Sequence, residues 1–438
     1  MRWNHGVAMP HNDRTFSTGQ LSRRTFLSFG ITGLTISALT SCERPSPSDR
    51  PEITTPPSSH DDDWSAIRAH FITKPGVTFM NNASIGMPPG VVAEAVARGY
   101  ESVSRDPIHA KHELNDLVQN RVRPHLAQFI GAKPSEIVLT RNASEALHLA
   151  AVGLVLEPGD EVLMTSQEHP AGRQPWRYRV SRHGITATEV FIPSPFSDEE
   201  DVVERMAAQI SRRTRAIAFC HVTRGGHLYP VRKLAALAKE RGIATIVDGA
   251  QAIGMLPVDV HDLGCDAYAA SLHKWLLGPM GTWVLYIKEQ SRHRFQSVYN
   301  EESTPERPNY EPIGTVGLPV KAGLEVALSF LDAIGIAAIE RRNRYISNYL
   351  KAQLGEMPGV RVFSGPTERT SAPGSTIFEM DDVDADNAVK VLAERRSIHI
   401  DEHKRDGHNA IRVSTHFYNT TKEIDHLINA MKTSLRPG

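Results

Sequence analysis

Two stretches decide how this chain is read: Ala244-Thr245-Ile246-Val247-Asp248-Gly249-Ala250-Gln251, and Tyr268-Ala269-Ala270-Ser271-Leu272-His273-Lys274-Trp275-Leu276-Leu277-Gly278-Pro279. Each begins as an apolar, strand-like run, meets a charged residue and passes into a glycine-containing loop. An acid and a lysine, each at the end of its own strand in one α/β pattern, form the pairing that pyridoxal phosphate chemistry needs. The lysine makes a Schiff base with the cofactor aldehyde, and the carboxylate keeps the ring nitrogen protonated. Either residue alone carries little weight. Most lysines are solvated, and an Asp after a strand is often a turn or helix cap.

The surroundings of the pair follow an alternating pattern. Short β-rich runs at Glu136–Leu139, Glu161–Met164, Ala187–Ile192, Ala216–Phe219, Ala244–Val247, around Tyr268 and at Thr282–Ile287 are separated in part by helical patterns such as Val202–Ile210 and Val231–Arg241. His112–Ile130 places Leu114, Leu117, Val118, Val122, Leu126 and Phe129 at helical spacing. Strands with little in–out alternation imply a mostly parallel sheet covered on both faces. Residues 320–357 read as long helices. The tail mixes strand-like runs at 360–363, 375–378 and 410–414 with helices around 385–395 and from 421, which suits a smaller α+β domain. The expected plan is a large domain over 64–320, with a mostly parallel seven-stranded-type sheet between helices, followed by linking helices and a small C-terminal domain over 321–438.

The N-terminus has a different character. Ser22-Arg23-Arg24-Thr25-Phe26-Leu27 resembles a twin-arginine export signal, and the apolar stretch that follows runs from Phe26 to Leu39. That is shorter than the roughly 20 residues a membrane-spanning helix needs. It ends in Leu39-Thr40-Ser41-Cys42, which resembles a lipobox, so residues 1–42 read as a signal peptide with Cys42 as a lipid-anchor site. Residues 43–63, rich in Pro, Ser, Thr and Asp, read as a disordered tether. The expected location is periplasmic.

A length of 438 residues with 40% hydrophobic content is ample for a large core. The formal net charge of −1 offers no electrostatic footprint for nucleic acid. Apart from Cys42, the cysteines are Cys220 and Cys265, each in or beside an apolar strand-like run, which favours buried free thiols over a disulfide. No CxxC or His/Cys cluster calls for a metal.

Val247-Asp248-Gly249-Ala250-Gln251 followed by Ser271-Leu272-His273-Lys274 resembles the signature of class V aminotransferase-fold enzymes. These belong to the fold-type I pyridoxal-phosphate transferases and include cysteine desulfurases and isopenicillin N epimerase-like proteins. The resemblance covers about residues 75–435. It implies pyridoxal 5'-phosphate as cofactor, with Lys274, Asp248 and His169 as catalytic residues. Ala143 and Ser144, in the turn Arg141-Asn142-Ala143-Ser144-Glu145, match the phosphate-binding helix start, where free N–H groups and the helix dipole favour an anion. His169 in Glu168-His169-Pro170 matches the ring that stacks on the pyridine. Gln251 matches the contact to the phenolic oxygen, and Ser271 and His273 match phosphate contacts. Thr315 in Gly314-Thr315 matches a residue that reaches the phosphate of the other subunit, which implies a homodimer. Arg412 matches the arginine that grips a substrate carboxylate, and Asn82 the segment lining the substrate side.

Two departures shape the expected reaction. The stretch Asp401-Glu402-His403-Lys404-Arg405-Asp406-Gly407-His408, where cysteine desulfurases carry a catalytic cysteine, has none, which disfavours sulfur transfer. The segment from His221 to His227 is about one residue shorter than its counterpart, and Arg224 within it is a candidate contact for the cofactor or a second carboxylate. The overall plan is similar to that of periplasmic pyridoxal-phosphate enzymes that tailor pyoverdine siderophores. The expected substrate is therefore a small-molecule or peptide-like amine, and the expected chemistry is α-proton abstraction leading to transamination or epimerisation. A β-eliminating C–S or C–Se lyase and a non-catalytic binding protein of the same fold are the alternatives. A dinucleotide dehydrogenase is disfavoured because no GxGxxG follows the first strand.

Overall fold

The computed structural model describes residues 53–299, 310–311, 314–405 and 407–435. The export-signal and lipobox stretch and residues 43–52 lie outside the described residues. Seven strands form the central sheet: β1 (Ile137–Thr140), β2 (Glu161–Thr165), β3 (Thr186–Val190), β4 (Thr214–Cys220), β5 (Ala244–Asp248), β6 (Ala267–Ser271) and β7 (Trp283–Ile287). Their spatial order is β1-β7-β6-β5-β4-β2-β3. All neighbours are parallel except β7, which runs antiparallel to both β1 and β6.

Successive residues of a strand feed opposite faces of the sheet. Leu139, Leu163, Ile217 and Val247 enter one buried cluster, and Val138, Val162, Ala216 and Ile246 enter the other. This double burial explains why the strands read as continuous apolar runs. It also explains why polar groups gather at the strand ends, where open α/β sheets bind their ligands.

A second sheet is built from β8 (Val360–Val362), β9 (Ser375–Met380), β10 (Asp401–His403) and β11 (Ala410–Ser414), in the order β10-β11-β9-β8 and wholly antiparallel. Helices Leu318–Ile334 and Ile336–Gly355 precede it, bent by 76° at Gly335. Among the described residues no single helix is long and apolar enough to cross a membrane. An N-terminal stretch joins this sheet to the central one: Asn81 bridges Ser414, and Gly86 N–H donates to His273 O at 2.9 Å.

Two boundaries differ from the sequence reading. Residues 61–63, expected in a disordered tether, form the first turn of helix Asp61–Arg68. Asp61 there pairs with the buried guanidinium of Arg342 at 2.7 Å, and that guanidinium also donates to Ser59 O and Asn419 O. The helical pattern expected over 112–130 begins earlier, at Pro107, with Asp106 as its N-cap. It also contains a π-helical turn at Val118–Val122. Pro124 accounts for that turn, because it cannot donate to the helix ladder. The chain bonds Arg123 N–H to Val118 O instead.

Candidate active site

The loop joining β6 to β7 carries Lys274. Because these strands are antiparallel neighbours, no crossover helix is needed, and the loop folds back on itself. Gly278 N–H donates to Leu272 O at 2.8 Å, and Leu272 N–H to Thr282 O at 3.1 Å. Buried Leu277 is held at φ 60°, a left-handed conformation rare for a bulky side chain. Such backbone strain, three residues past the lysine, belongs to a segment fixed by its surroundings. Gly86 closes over it: a Cβ there would stand 2.0 Å from Lys274 O, so only glycine permits the approach.

Lys274 opens onto a cavity of about 380 Å³. Burial pushes its amine down to about 8; nearby Arg412 and Arg224 act in the same direction, and Asp248 opposes them. Asp248 closes β5 in the neighbouring strand and is itself buried. Its carboxyl is raised by burial, against the pull of the Ala250 N–H at 3.0 Å and of the Lys274 charge. A cation placed beside Asp248 would restore its charge, which is the service a protonated ring nitrogen performs.

Helix Ala143–Gly153 points its N-terminus at the same cavity, and Asn142 and Ser144 line it. The Asn142 side chain caps Glu145 N–H at 2.9 Å, so the cap leaves the N–H groups of Ala143 and Ser144 to serve an anion. Ser271, at the end of β6, lies behind His273, its hydroxyl 3.4 Å from the ring. Trp283 packs against that ring at 5.6 Å between centroids. His169 caps helix Pro170–His183, its Nδ1 accepting from Ala171 N–H at 3.2 Å. The bond assigns the ring proton to Nε2. Although this ring is open to solvent at the cavity mouth, desolvation by the walls, followed by the charges of Lys274 and three arginines, drives it down to about 4. His169 is therefore a neutral flat ring near neutral pH. Gln251 also lines the cavity; its amide accepts from Trp275 Nε1 at 2.7 Å and donates to Ala83 O at 2.9 Å.

At the far side stands Arg412 on β11, buried and lowered to about 10 by burial. Its Nη2 donates to Asp401 Oδ2, to Ser84 Oγ at 2.9 Å and to Asn81 Oδ1 at 3.4 Å. Arg224 projects into the cavity from a tight turn closed by Thr223 N–H to His227 O at 2.9 Å, and pairs with Glu402 at 2.7 Å. The shortened segment thus still delivers its arginine to the site.

The structure brings Ser144, His169, Asp248, Gln251, His273, Lys274 and Arg412 around one cavity. Asn82 does not join them. Its side chain is fully buried and accepts from Tyr418 OH at 2.9 Å, while Ala83 and Ser84 line the wall in its place. Thr315 is exposed and stands outside the cavity of its own chain. Sequence reasoning missed Asp401, whose only signal was its place on a strand opposite Arg412. Cys220 and Cys265 are buried free thiols. Cys220 reaches the cavity wall, but burial, then the charges of Glu168 and Asp248, push its thiol up.

An aldehyde-reactive lysine, a buried carboxylate one strand away, a neutral flat ring and an anion-binding helix start fit the four functional parts of pyridoxal 5'-phosphate in one cavity. Fold and site together define a fold-type I pyridoxal-phosphate enzyme. Residues 77–427 match the family described as Aminotransferase class-V, and the chain belongs to that family. It is similar to the isopenicillin N epimerase of Streptomyces clavuligerus, 28% identical over 389 residues that cover 84% of this chain and 98% of that protein. It is also similar to the probable cysteine desulfurase 2 of Mycobacterium leprae, 30% identical over 412 residues, covering 85% and 97%. Among solved structures, C-DES with glycine covalently linked to its PLP cofactor superposes with a TM-score of 0.76 at 24% identity, covering 84% of this chain and 99% of that one.

Proposed function

We propose that this protein abstracts the α-proton of an amino-acid-like amine and carries out an aminotransferase- or epimerase-type modification of a peptide or secondary metabolite. The observation that carries this reading is the convergence of Lys274, Asp248 and Arg412 on one cavity. When bound, pyridoxal phosphate supplies an electron sink for the charge left on the α-carbon. Lys274 would hold the cofactor and, with its amine lowered to about 8, would serve as the base for the α-proton. Asp248 keeps a positive charge at the ring nitrogen. Arg412 and Ser84 would orient the carboxyl end of the substrate, and His169 would offer its neutral ring to the cofactor. Transamination and epimerisation differ in where Lys274, or a second donor, returns the proton.

The thiol inventory supports this choice over sulfur transfer. The described part of the 401–408 stretch holds no cysteine, and Cys220 is kept as a buried thiol, a poor nucleophile. A second reading, C–S bond cleavage by β-elimination, needs no thiol nucleophile and is favoured by similarity to the cystine C–S lyase C-DES. Export by the twin-arginine route, a lipid anchor at Cys42 and a homodimer in which Thr315 reaches the neighbouring subunit complete the proposal. An extracytoplasmic enzyme meets peptide-like amines more readily than free keto acids. The test is to incubate the holoenzyme in D2O with amino acids and short peptides. Deuterium gain at the α-carbon of the recovered substrate, together with a keto acid that keeps the substrate's side chain or with inverted stereochemistry, supports the reading; release of pyruvate with cysteine persulfide from cystine, or with sulfide from cysteine, and neither of those products, would replace it with the lyase.

A further inference from the structure

The carboxylate of Asp401 occupies an unusual position for a residue on the rim of a carboxylate-binding site. Its Oδ2 accepts from Arg412 Nη2, from Ser84 Oγ at 3.0 Å and from Arg224 Nη2 at 3.4 Å. One oxygen therefore sits at the meeting point of two guanidinium groups and a hydroxyl. The position is built into the fold, because β10 and β11 pair in a register that sets Asp401 directly opposite Arg412. Its other oxygen accepts from Glu402 N–H at 3.1 Å, which steadies the rotamer.

The cost of this arrangement falls on any incoming carboxylate. An arginine binds a carboxylate best through two parallel N–H bonds from adjacent nitrogens. On Arg412 the nitrogen Nη2 already serves Asp401, Ser84 and Asn81, and Nε is buried without a partner. A free α-carboxylate must displace Asp401 or sit beside it at like charge. An amine whose carboxyl is capped as an amide brings no charge, and its carbonyl can accept from Ser84 or Arg412 while Asp401 stays in place.

We propose that Asp401 is a specificity-determining residue: an internal carboxylate seated on Arg412 and Arg224 that selects amide-capped, peptide-linked amines over free α-amino acids. The inference rests on the amine-modifying function proposed above and deepens it by naming the substrate class.

The test uses the holoenzyme and two probes, glycine and glycinamide, each titrated while the cofactor absorbance is followed. In Asp401→Asn, glycine binds about tenfold or more tightly than in the parent, the equivalent of one charge-assisted contact, while glycinamide changes by less than about twofold. Tightening of both probes to the same degree overturns the proposal, since the substitution would then only have opened the site. Unchanged or weakened glycine binding in a variant that still binds glycinamide overturns it as well. If Asp401→Asn binds neither probe, Asp401→Ser repeats the comparison with the strand register kept, and the same outcomes decide. A parent protein that shows no cofactor band at all contradicts the proposed function, a failure distinct from any result at Asp401.

Discussion

The carboxyl groups of Glu168 and Asp248 converge on Gly172: a Cβ at that glycine would lie 3.5 Å from Glu168 Oε2 and 3.8 Å from Asp248 Oδ2. Burial raises both carboxyls, and Glu168 is lifted into the neutral range. Burial raises it to about 8, against the hydrogen bonds of Thr165 and Cys220, and the charge of Asp248 adds to the rise. A protonated Glu168 puts no second negative charge beside Asp248.

Glu168 has a folded value above its ordinary value of 4.5, so the folded state binds more protons than the unfolded chain between about pH 4.5 and 8. Its contribution to stability is full below that window and is lost as pH rises through it. Glu168→Gln mimics the protonated acid and removes the dependence. Urea midpoints of the cofactor-free protein at several pH values from 5 to 8 should fall more steeply for the parent than for the variant. Parallel slopes would show Glu168 ionised throughout.

Lys274 titrates in the opposite sense. Held at about 8 by burial and two arginines, its amine has a large neutral fraction at a pH where an ordinary lysine is fully protonated. The rate at which cofactor-free protein captures pyridoxal phosphate should therefore level off near pH 8. Arg412→Gln removes a neighbouring cation and moves the midpoint up, whereas Asp248→Asn removes the opposing anion and moves it down. A midpoint near 10 in the parent would mean the amine is solvated.

Asp248→Asn should load cofactor on Lys274 and yet exchange α-protons slowly. Losing the preorganised anion that keeps the electron-accepting ring cationic costs on the order of 10²–10³-fold in rate. Deuterium wash-in at the α-carbon of a bound amino acid measures it. Exchange within a few-fold of the parent would remove Asp248 from the mechanism.

Gly86→Ala puts a methyl group 2.0 Å from Lys274 O and 2.9 Å from His273 O, both backbone atoms with little freedom to yield. Overpacking of this kind costs about 1–3 kcal/mol. Cofactor occupancy should fall together with the urea midpoint, because the displaced backbone is the one that carries the lysine. Loss of stability with full occupancy would place the strain elsewhere.

Local signals made much of this molecule legible in advance. Apolar runs gave the seven strands to within a few residues, since strands buried on both faces leave no ambiguity of period. Asp248 and Lys274 were readable because Asp248 ends its strand and Lys274 lies three residues past the end of the next. What escaped depended on long-range register. Asn82 was placed correctly along the chain, but its side chain turns to Tyr418 because the bridge from Asn81 to Ser414 fixes its direction. Asp401 reaches Arg412 through strand pairing, and no periodicity within either segment announces it. The ion pair that orders Asp61 was hidden for the same reason, as Arg342 lies far along the chain, whereas the π-helical turn answers to Pro124 within its own helix.

The central claim is that Lys274 is the residue that holds the cofactor, and borohydride reduction of the loaded protein followed by mass mapping tests it most directly. A demanding rival exists within the same chain: burial also pushes Lys351 down to about 8, so a lowered amine alone does not single out Lys274. The pyridoxyl group is expected on the peptide carrying Lys274, and Lys274→Ala is expected to leave no covalent adduct and no visible Schiff-base band. Adduct on Lys351 or on any other lysine, or a band that survives Lys274→Ala, would contradict that claim.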